Sequence, residues 1–151
     1  MKIKAIIKRM AEQDINKVIS IGLEIPEFRT GTSAEQFYSK QSLKRWIGDE
    51  NGVTLVARMN NEAVGFLLGY YMKGPNDGYL NCLAISEKYR GKGIGKKLLE
   101  QALGEFEAKG CNHIFGVVKE DNEKTLNFFE NNGLEIGGSF RYIETMLPLD
   151  K

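Results

Sequence analysis

The chain has 151 residues, 42% hydrophobic and 27% charged, a length and composition that suit one soluble globular domain and leave little room for a second core. With 21 Lys plus Arg against 20 Asp plus Glu the formal charge is +1, which excludes a global basic field for nucleic acid or an anionic membrane. Two cysteines, Cys82 and Cys111, and one histidine, His113, exclude a disulfide scaffold and any zinc set built from several Cys and His. No metal is expected, and a reducing, cytoplasmic setting is the default.

Residues 1–9 alternate apolar and basic side chains, lack the apolar stretch of a secretory signal, and predict a first strand. Glu12 and Asp14 precede Ile15, Val18, Ile19, Gly22 and Leu23 at helical spacing, and Pro26 stops that helix. Either Thr32-x-x-Glu35 or Ser33-x-x-Gln36 forms a capping box that opens a second helix through Phe37, Leu43, Trp46 and Ile47. Residues 53–59 and 63–72, rich in strand formers around Asn60-Asn61-Glu62, predict a hairpin. The run 63–72 is about half of a membrane span and is broken by Gly65 and Gly69, so no membrane partner is expected. The turn Lys73-Gly74-Pro75-Asn76-Asp77-Gly78 leads to a mostly buried strand at 79–85.

Beyond Ser86, Ile94, Leu98, Leu99, Ala102, Leu103 and Phe106 carry a helix that Gly110 ends. A strand at 113–119 follows, then a helix capped by Asn122, carrying Leu126, Phe128 and Phe129 and ended by Gly133. Residues 135–149 predict one or two closing strands around Gly137-Gly138. The strand–helix–strand unit demands a parallel pair and the hairpin an antiparallel one. The expected fold is therefore α/β of the mixed α+β kind: a central mixed, mostly antiparallel sheet flanked by about four helices, in a single domain over residues 1–151.

The segment Glu87-Lys88-Tyr89-Arg90-Gly91-Lys92-Gly93-Ile94-Gly95 lies where a strand ends and a helix begins, a place where free N–H groups and the helix dipole favour an anion. Gly93 and Gly95 permit close backbone approach. Lys88, Arg90, Lys92, Lys96 and Lys97 put five cations in ten residues, and the last two occupy a first helical turn that normally disfavours them. A bound anion reconciles this; a solvated charged face is the plainer alternative. A Walker loop needs Gly at Arg90 and Ser or Thr at Lys97, and a dinucleotide fingerprint needs Gly at Lys96, so both templates fail.

Arg90-Gly91-Lys92-Gly93-Ile94-Gly95 resembles the Gln/Arg-x-x-Gly-x-Gly/Ala pyrophosphate loop of the GNAT (GCN5-related N-acetyltransferase) superfamily, with Leu83-Ala84-Ile85 ending the strand before it. The stretch from Asn122 to Phe128-Phe129 and Gly133-Leu134 is similar to the second signature of that family, an Asn, a helix, an aromatic pair and Gly-Phe. Residues 79–134 carry the best match. The resemblance implies acetyl-CoA as co-substrate, with Leu83, Ala84 and Ile85 as the cofactor-binding strand end and Leu83 and Ile85 offering backbone groups to pantetheine. It further implies that Arg90, Gly91, Lys92, Gly93, Ile94, Gly95 and Lys96 hold the pyrophosphate, while Asn122 and Phe129 border the cofactor arm.

The chemistry so implied is direct attack of an amine, of a small molecule or a protein N-terminus or lysine, on the thioester. A primary amine with pKa near about 10 is mostly protonated at pH 7, so a base or a desolvating site helps. Glu27 and Glu24, flanking Pro26 on the early connection, are the favoured bases, with Asp77 a further carboxylate. Phe129 stands where many relatives carry the Tyr general acid, so Tyr142 or water must supply the proton, or thiolate departs unaided. A backbone N–H near Ile85 would serve as oxyanion donor. The ending Met146-Leu147-Pro148-Leu149 superficially resembles the ribosomal-protein N-terminal acetyltransferase branch, but Gly116 stands where that branch has Glu.

Two alternatives remain at this stage: a non-catalytic acyl-CoA-binding regulatory module on the same fold, and a phosphate or nucleotide binder without acyl chemistry. Cys82 reads as a small core residue and His113 as a surface one. Tyr70 and Tyr71 point to opposite faces of their strand. Late strands and sheet edges leave homodimerisation open, and no nucleic-acid partner is expected.

Overall fold

The computed structural model describes residues 4–29 and 37–149. Nine elements follow in order: β1 (Ile6–Arg9), α1 (Ile15–Leu23), α2 (Lys40–Ile47), β2 (Gly52–Met59), β3 (Glu62–Met72), β4 (Asp77–Ile85), α3 (Ile94–Ala108), β5 (His113–Gly116) and α4 (Glu123–Asn131). The strands form one sheet in sequence order. The first three pairings are antiparallel and β4–β5 is parallel, with α3 as the crossover. The mixed, mostly antiparallel sheet with four helices is the architecture the sequence predicts.

Local chemistry explains the turns. Asn60 and Asn61 take φ of 53° and 64° in the two-residue reversal between Met59 and Glu62, the positive-φ geometry that matches the twist of a hairpin. Asn76, at φ 60°, closes the next reversal; its side-chain amide donates to the Gly110 carbonyl at 2.9 Å and its Oδ1 accepts from the Tyr71 hydroxyl at 2.6 Å. Buried Asp14 joins α1 to the sheet by accepting from the Ala11 N–H at 2.8 Å and from Arg58 Nε and Nη2 at 3.0 and 2.6 Å.

Two apolar layers sandwich the sheet. One gathers Ile15, Val18 and Leu43 from α1 and α2 on Phe66, Leu68 and Cys82. The other sets Leu98, Leu99, Ala102 and Phe106 of α3 on Val64, Leu67 and Leu80. Gly69 and Gly78 admit the Phe106 ring, because a Cβ at either would approach it to 2.9 or 2.8 Å.

Three expectations are corrected. The second helix begins at Lys40, its cap being Ser39, whose Oγ accepts from Ser42 N–H at 3.1 Å; Phe37 and Tyr38 precede it. The proposed caps Thr32 and Ser33 lie outside the described residues. The strand after Gly110 ends at Gly116 rather than Lys119. Residues 135–149 form no strand, because strand-forming side chains alone supply no partner for the backbone. Among the described residues no helix is long and apolar enough to cross a membrane, and no group of His, Cys, Asp and Glu is arranged to hold a metal.

Candidate functional site

β4 outruns β5. His113 to Gly116 pair with Asp77 to Leu80, whereas Cys82 to Ile85 pair with β3 alone, so the second half of β4 keeps an open edge among the described residues. The divergence starts at a bulge: Leu68 faces Cys82 and Gly69 faces Leu80, leaving Asn81 as the extra residue. Bulges bend a strand and increase its twist, and this one turns β4 away from β5 at mid-length.

The Arg90–Gly95 segment closes the far end of that edge. A single helical turn, Glu87–Tyr89, leads to extended Arg90, whose Nε donates to the Ile85 carbonyl at 2.9 Å and clips the loop to the strand. Gly91 and Gly93 adopt φ of 75° and 80°, a conformation that L side chains rarely take, and a Cβ on either would enter open space. Gly93 is the N-cap of α3 and no side chain caps that helix, so its first N–H groups have no side-chain partner. Its first turn carries no acid. Lys88 and Lys92 sit 5.2 and 5.9 Å from the centre of the Tyr89 ring, and Lys96 lies 4.0 Å from Glu100. Uncapped amides, a helix dipole and nearby cations suit a phosphate diester.

α4 forms the opposite wall. Asn122 caps it, Oδ1 accepting from Thr125 N–H at 3.2 Å, which leaves the amide NH2 for other partners. Phe128 and Phe129 meet edge to face at 5.3 Å and pack, half-buried, on the α3 side with Leu83 and Ile85. A Cβ on Gly95 would touch the Phe128 ring at 3.4 Å, so that glycine serves the packing of α4 against α3. Ile94 is buried beneath the loop, and Ala84 is buried on the other sheet face.

The early connection borders two open grooves. Glu27 and Pro26 line an open groove of about 470 Å³ with Lys119, Asp121, Asn122, Glu123 and Lys124. Glu24 lines a second, of about 450 Å³, with Ser86, Glu87 and Lys88. Glu27 thus stands beside the start of α4, and Glu24 beside the helical turn that precedes the glycine-rich loop. Asp77 is instead paired with His113, Oδ1 to Nδ1 at 3.0 Å, at the start of β4, away from the loop.

Sequence reasoning missed a polar cluster at the bulge. Tyr38 donates its hydroxyl to Asn81 Oδ1 at 2.8 Å, the Cys82 thiol donates to the same oxygen at 2.9 Å, and Trp46 Nε1 donates to the Gly69 carbonyl at 2.9 Å. Burial pushes both the Tyr38 phenol and the Cys82 thiol up to about 12, and raises Tyr79 as well. Tyr142, 58% exposed on the C-terminal segment, lies within electrostatic reach of Tyr38 and Tyr79. The one signal in the sequence is an Asn inside an otherwise apolar strand.

Residues 21–134 match the acetyltransferase (GNAT) family. Among solved structures, the chain superposes on a PaiA N-acetyltransferase from Thermoplasma acidophilum in complex with coenzyme A with a TM-score of 0.78 and 22% identity, covering 93% of this chain and 94% of that one. An aminoglycoside acetyltransferase from an uncultured soil metagenomic sample in complex with sisomicin gives 0.76 and 21%, covering 95% and 96%. A protein described as a transcriptional regulator from Bacillus halodurans C-125 gives 0.79 and 19%, covering 93% and 99%. These likenesses establish a shared fold, and the family match across three quarters of the sequence, with both glycine-rich loop and Asn122 helix inside it, establishes that the chain belongs to the acetyltransferase (GNAT) family.

Proposed function

We propose that residues 1–151 form one cytoplasmic domain that transfers an acetyl group from acetyl-CoA directly to an amine. The observation that carries this reading is the meeting, at one end of β4, of an open strand edge with an uncapped helix N-terminus behind two positive-φ glycines. An extended cofactor with a peptide-like arm and a pyrophosphate needs both features a few residues apart.

In this account backbone groups of Leu83 and Ile85 pair with the pantetheine arm, Ala84 holds the strand from the opposite face, and the N–H groups from Gly91 to Lys96 take the pyrophosphate. Arg90 and Lys92 supply charge, and Asn122 contributes its amide from the other wall. Acetyl-CoA supplies an electrophilic carbonyl and a thiolate leaving group. As the amine attacks, the C–N bond forms, the C–S bond breaks, and the amine proton passes to a carboxylate through water. Glu27 is the preferred acceptor because it shares its groove with Asn122; Glu24 serves the other end of the opening. A backbone N–H near Ile85 stabilises charge on the carbonyl oxygen. Tyr142, beside Tyr38 and Tyr79, is the phenol that returns a proton to the sulfur, a role the Phe129 ring cannot fill.

The acceptor is a small-molecule amine, a protein N-terminus or a lysine. Release of CoA thiol against a panel of such amines tests the reading: amine-dependent release supports it, and CoA binding without release from any of them transfers support to the non-catalytic acyl-CoA module that Phe129 suggests.

A further inference from the structure

Asn81 has no register partner on either neighbouring strand: the β3 pairing passes from Leu80 to Cys82, and the β5 pairing ends at Leu80. The strand changes face here. Leu80 packs in the α3 layer and Cys82, two positions on, packs in the α1–α2 layer, although side chains two apart in a regular strand share a face.

The Asn81 side chain is held by its oxygen alone. Oδ1 accepts from the Tyr38 hydroxyl at 2.8 Å and from the Cys82 thiol at 2.9 Å. Both N–H donors of the same amide are left without a partner among the described residues. At a half-buried position such donors carry a cost that a ligand oxygen would relieve.

On the acetyl-transfer reading, on which this inference rests, the cofactor arm takes the free edge from Cys82 to Ile85, with its phosphates at the start of α3. Asn81 lies at the opposite end of that edge, and Tyr38 holds it on the face away from α3. An amine that attacks from the face the cofactor leaves open passes this side chain. A second ammonium on that amine offers only donors, which two N–H groups cannot pair, whereas a carbonyl or hydroxyl oxygen accepts from them. Both groups bonded to Asn81 are uncharged, so neither attracts a second cation.

We propose that Asn81 selects the acceptor, its side-chain NH2 group binding a carbonyl or hydroxyl oxygen beside the reacting amine. Oxygen-bearing amines are then the preferred acceptors and oxygen-free polyamines poor ones. Tyr79, two residues earlier, meets the Phe115 ring at 5.1 Å and adds an aromatic wall, which makes phenyl-bearing amines suitable probes.

Thiol release from acetyl-CoA with matched amines reads this: phenylalaninamide and phenylalaninol against phenethylamine, with spermidine as an amine that lacks oxygen. The wild type is expected to favour the oxygen-bearing members over phenethylamine by at least about tenfold in kcat/KM. Asn81→Asp keeps an oxygen for Tyr38 and Cys82 but loses the NH2 group, and it should erase that preference with CoA affinity unchanged. A wild type without the preference, or one that favours spermidine, overturns the proposal, as does a preference that survives in Asn81→Asp. An equal loss towards every amine also overturns it, since that result puts the NH2 group on the thioester instead. Should Asn81→Asp fail to fold, binding of N-acetylphenylalaninamide and N-acetylphenethylamine to the CoA-loaded wild type decides. Binding of the amide tighter by at least about tenfold supports the proposal, and equal binding overturns it. A wild type that binds CoA and releases thiol with no amine removes the transferase reading and this proposal together; every other adverse result rejects the proposal and leaves that reading standing.

Discussion

The hydroxyl of Tyr38 and the side-chain oxygen of Asn81, 43 residues apart in sequence, are joined at 2.8 Å, and this bond fastens the segment leading into α2 to the bulge that parts β4 from β5. Trp46, on α2 itself, reinforces the attachment through the Gly69 carbonyl on the facing strand. The segment leading into α2 and α2 itself are thereby tied to the bulge.

Tyr38→Phe removes one donor from Asn81 while leaving the ring in its edge-to-face contacts with Phe37 and Trp46. We expect a loss of about 1 kcal/mol in urea unfolding, unchanged CoA affinity, and a raised KM for the acceptor. An equal loss of CoA affinity would show that the bulge serves the cofactor wall instead.

Gly93→Val forces a β-branched residue into φ 80° and points its side chain into the loop mouth. Stability should fall by about 1–2 kcal/mol and CoA affinity by at least about tenfold, equivalent to about 1.4 kcal/mol. Gly104→Ala is the contrast: it lies on α3 with open space around its Cβ position and no positive φ, so it should gain about 0.5–1 kcal/mol and bind CoA normally.

The loop, the Asn122 cap and the Asn60-Asn61 reversal were legible in the sequence because each is decided within a few residues by φ preference or a local hydrogen bond. The Tyr38–Asn81 bond was not, since only tertiary folding brings those residues together, and no pattern in residues 79–85 announces a bulge. Helical spacing draws Phe37 into the second helix, yet its ring packs ahead of that helix against Gly22, where a Cβ would come within 2.5 Å. The C-terminal segment misled for the opposite reason. Its side chains favour strands, but a strand is made only by pairing with a neighbouring backbone, and among the described residues these make no such pairing.

Asp14 and Arg58 form a nearly buried pair, 3% and 13% exposed. Arg58→Ala leaves a carboxylate stranded in the core and should cost about 3–5 kcal/mol. A double-mutant cycle with Asp14→Ala measures the coupling; additive losses would contradict a direct pair.

The Cys82 thiol, raised from an ordinary 9.0 to about 12, and the Tyr38 phenol, raised from 10.0 to about 12, both lose stability when they ionise. Each binds its proton more tightly folded than unfolded. Their contribution is therefore complete below about pH 9 and declines as pH rises from there toward 12. Urea midpoints should follow that window, and Cys82→Ala should lessen the slope. In the native protein at pH 8, iodoacetamide should modify Cys111 and spare Cys82; rapid labelling of Cys82 would contradict its burial.

Glu27→Gln keeps the shape of the groove and removes the base. We expect kcat to fall by about a hundredfold or more, in line with general-base catalysis, with CoA affinity unchanged. Glu24→Gln should have the smaller effect. Equal activity of both variants with wild type would remove the carboxylates from the mechanism.

Calorimetric titration of CoA into the wild type and into Gly93→Val tests the central claim, that the open edge of β4 and the loop before α3 hold the cofactor. The account predicts one site per chain in the wild type, weakened at least about tenfold in a variant that still folds. A wild type that gives no heat with CoA, or a folded variant that binds as tightly, would contradict it.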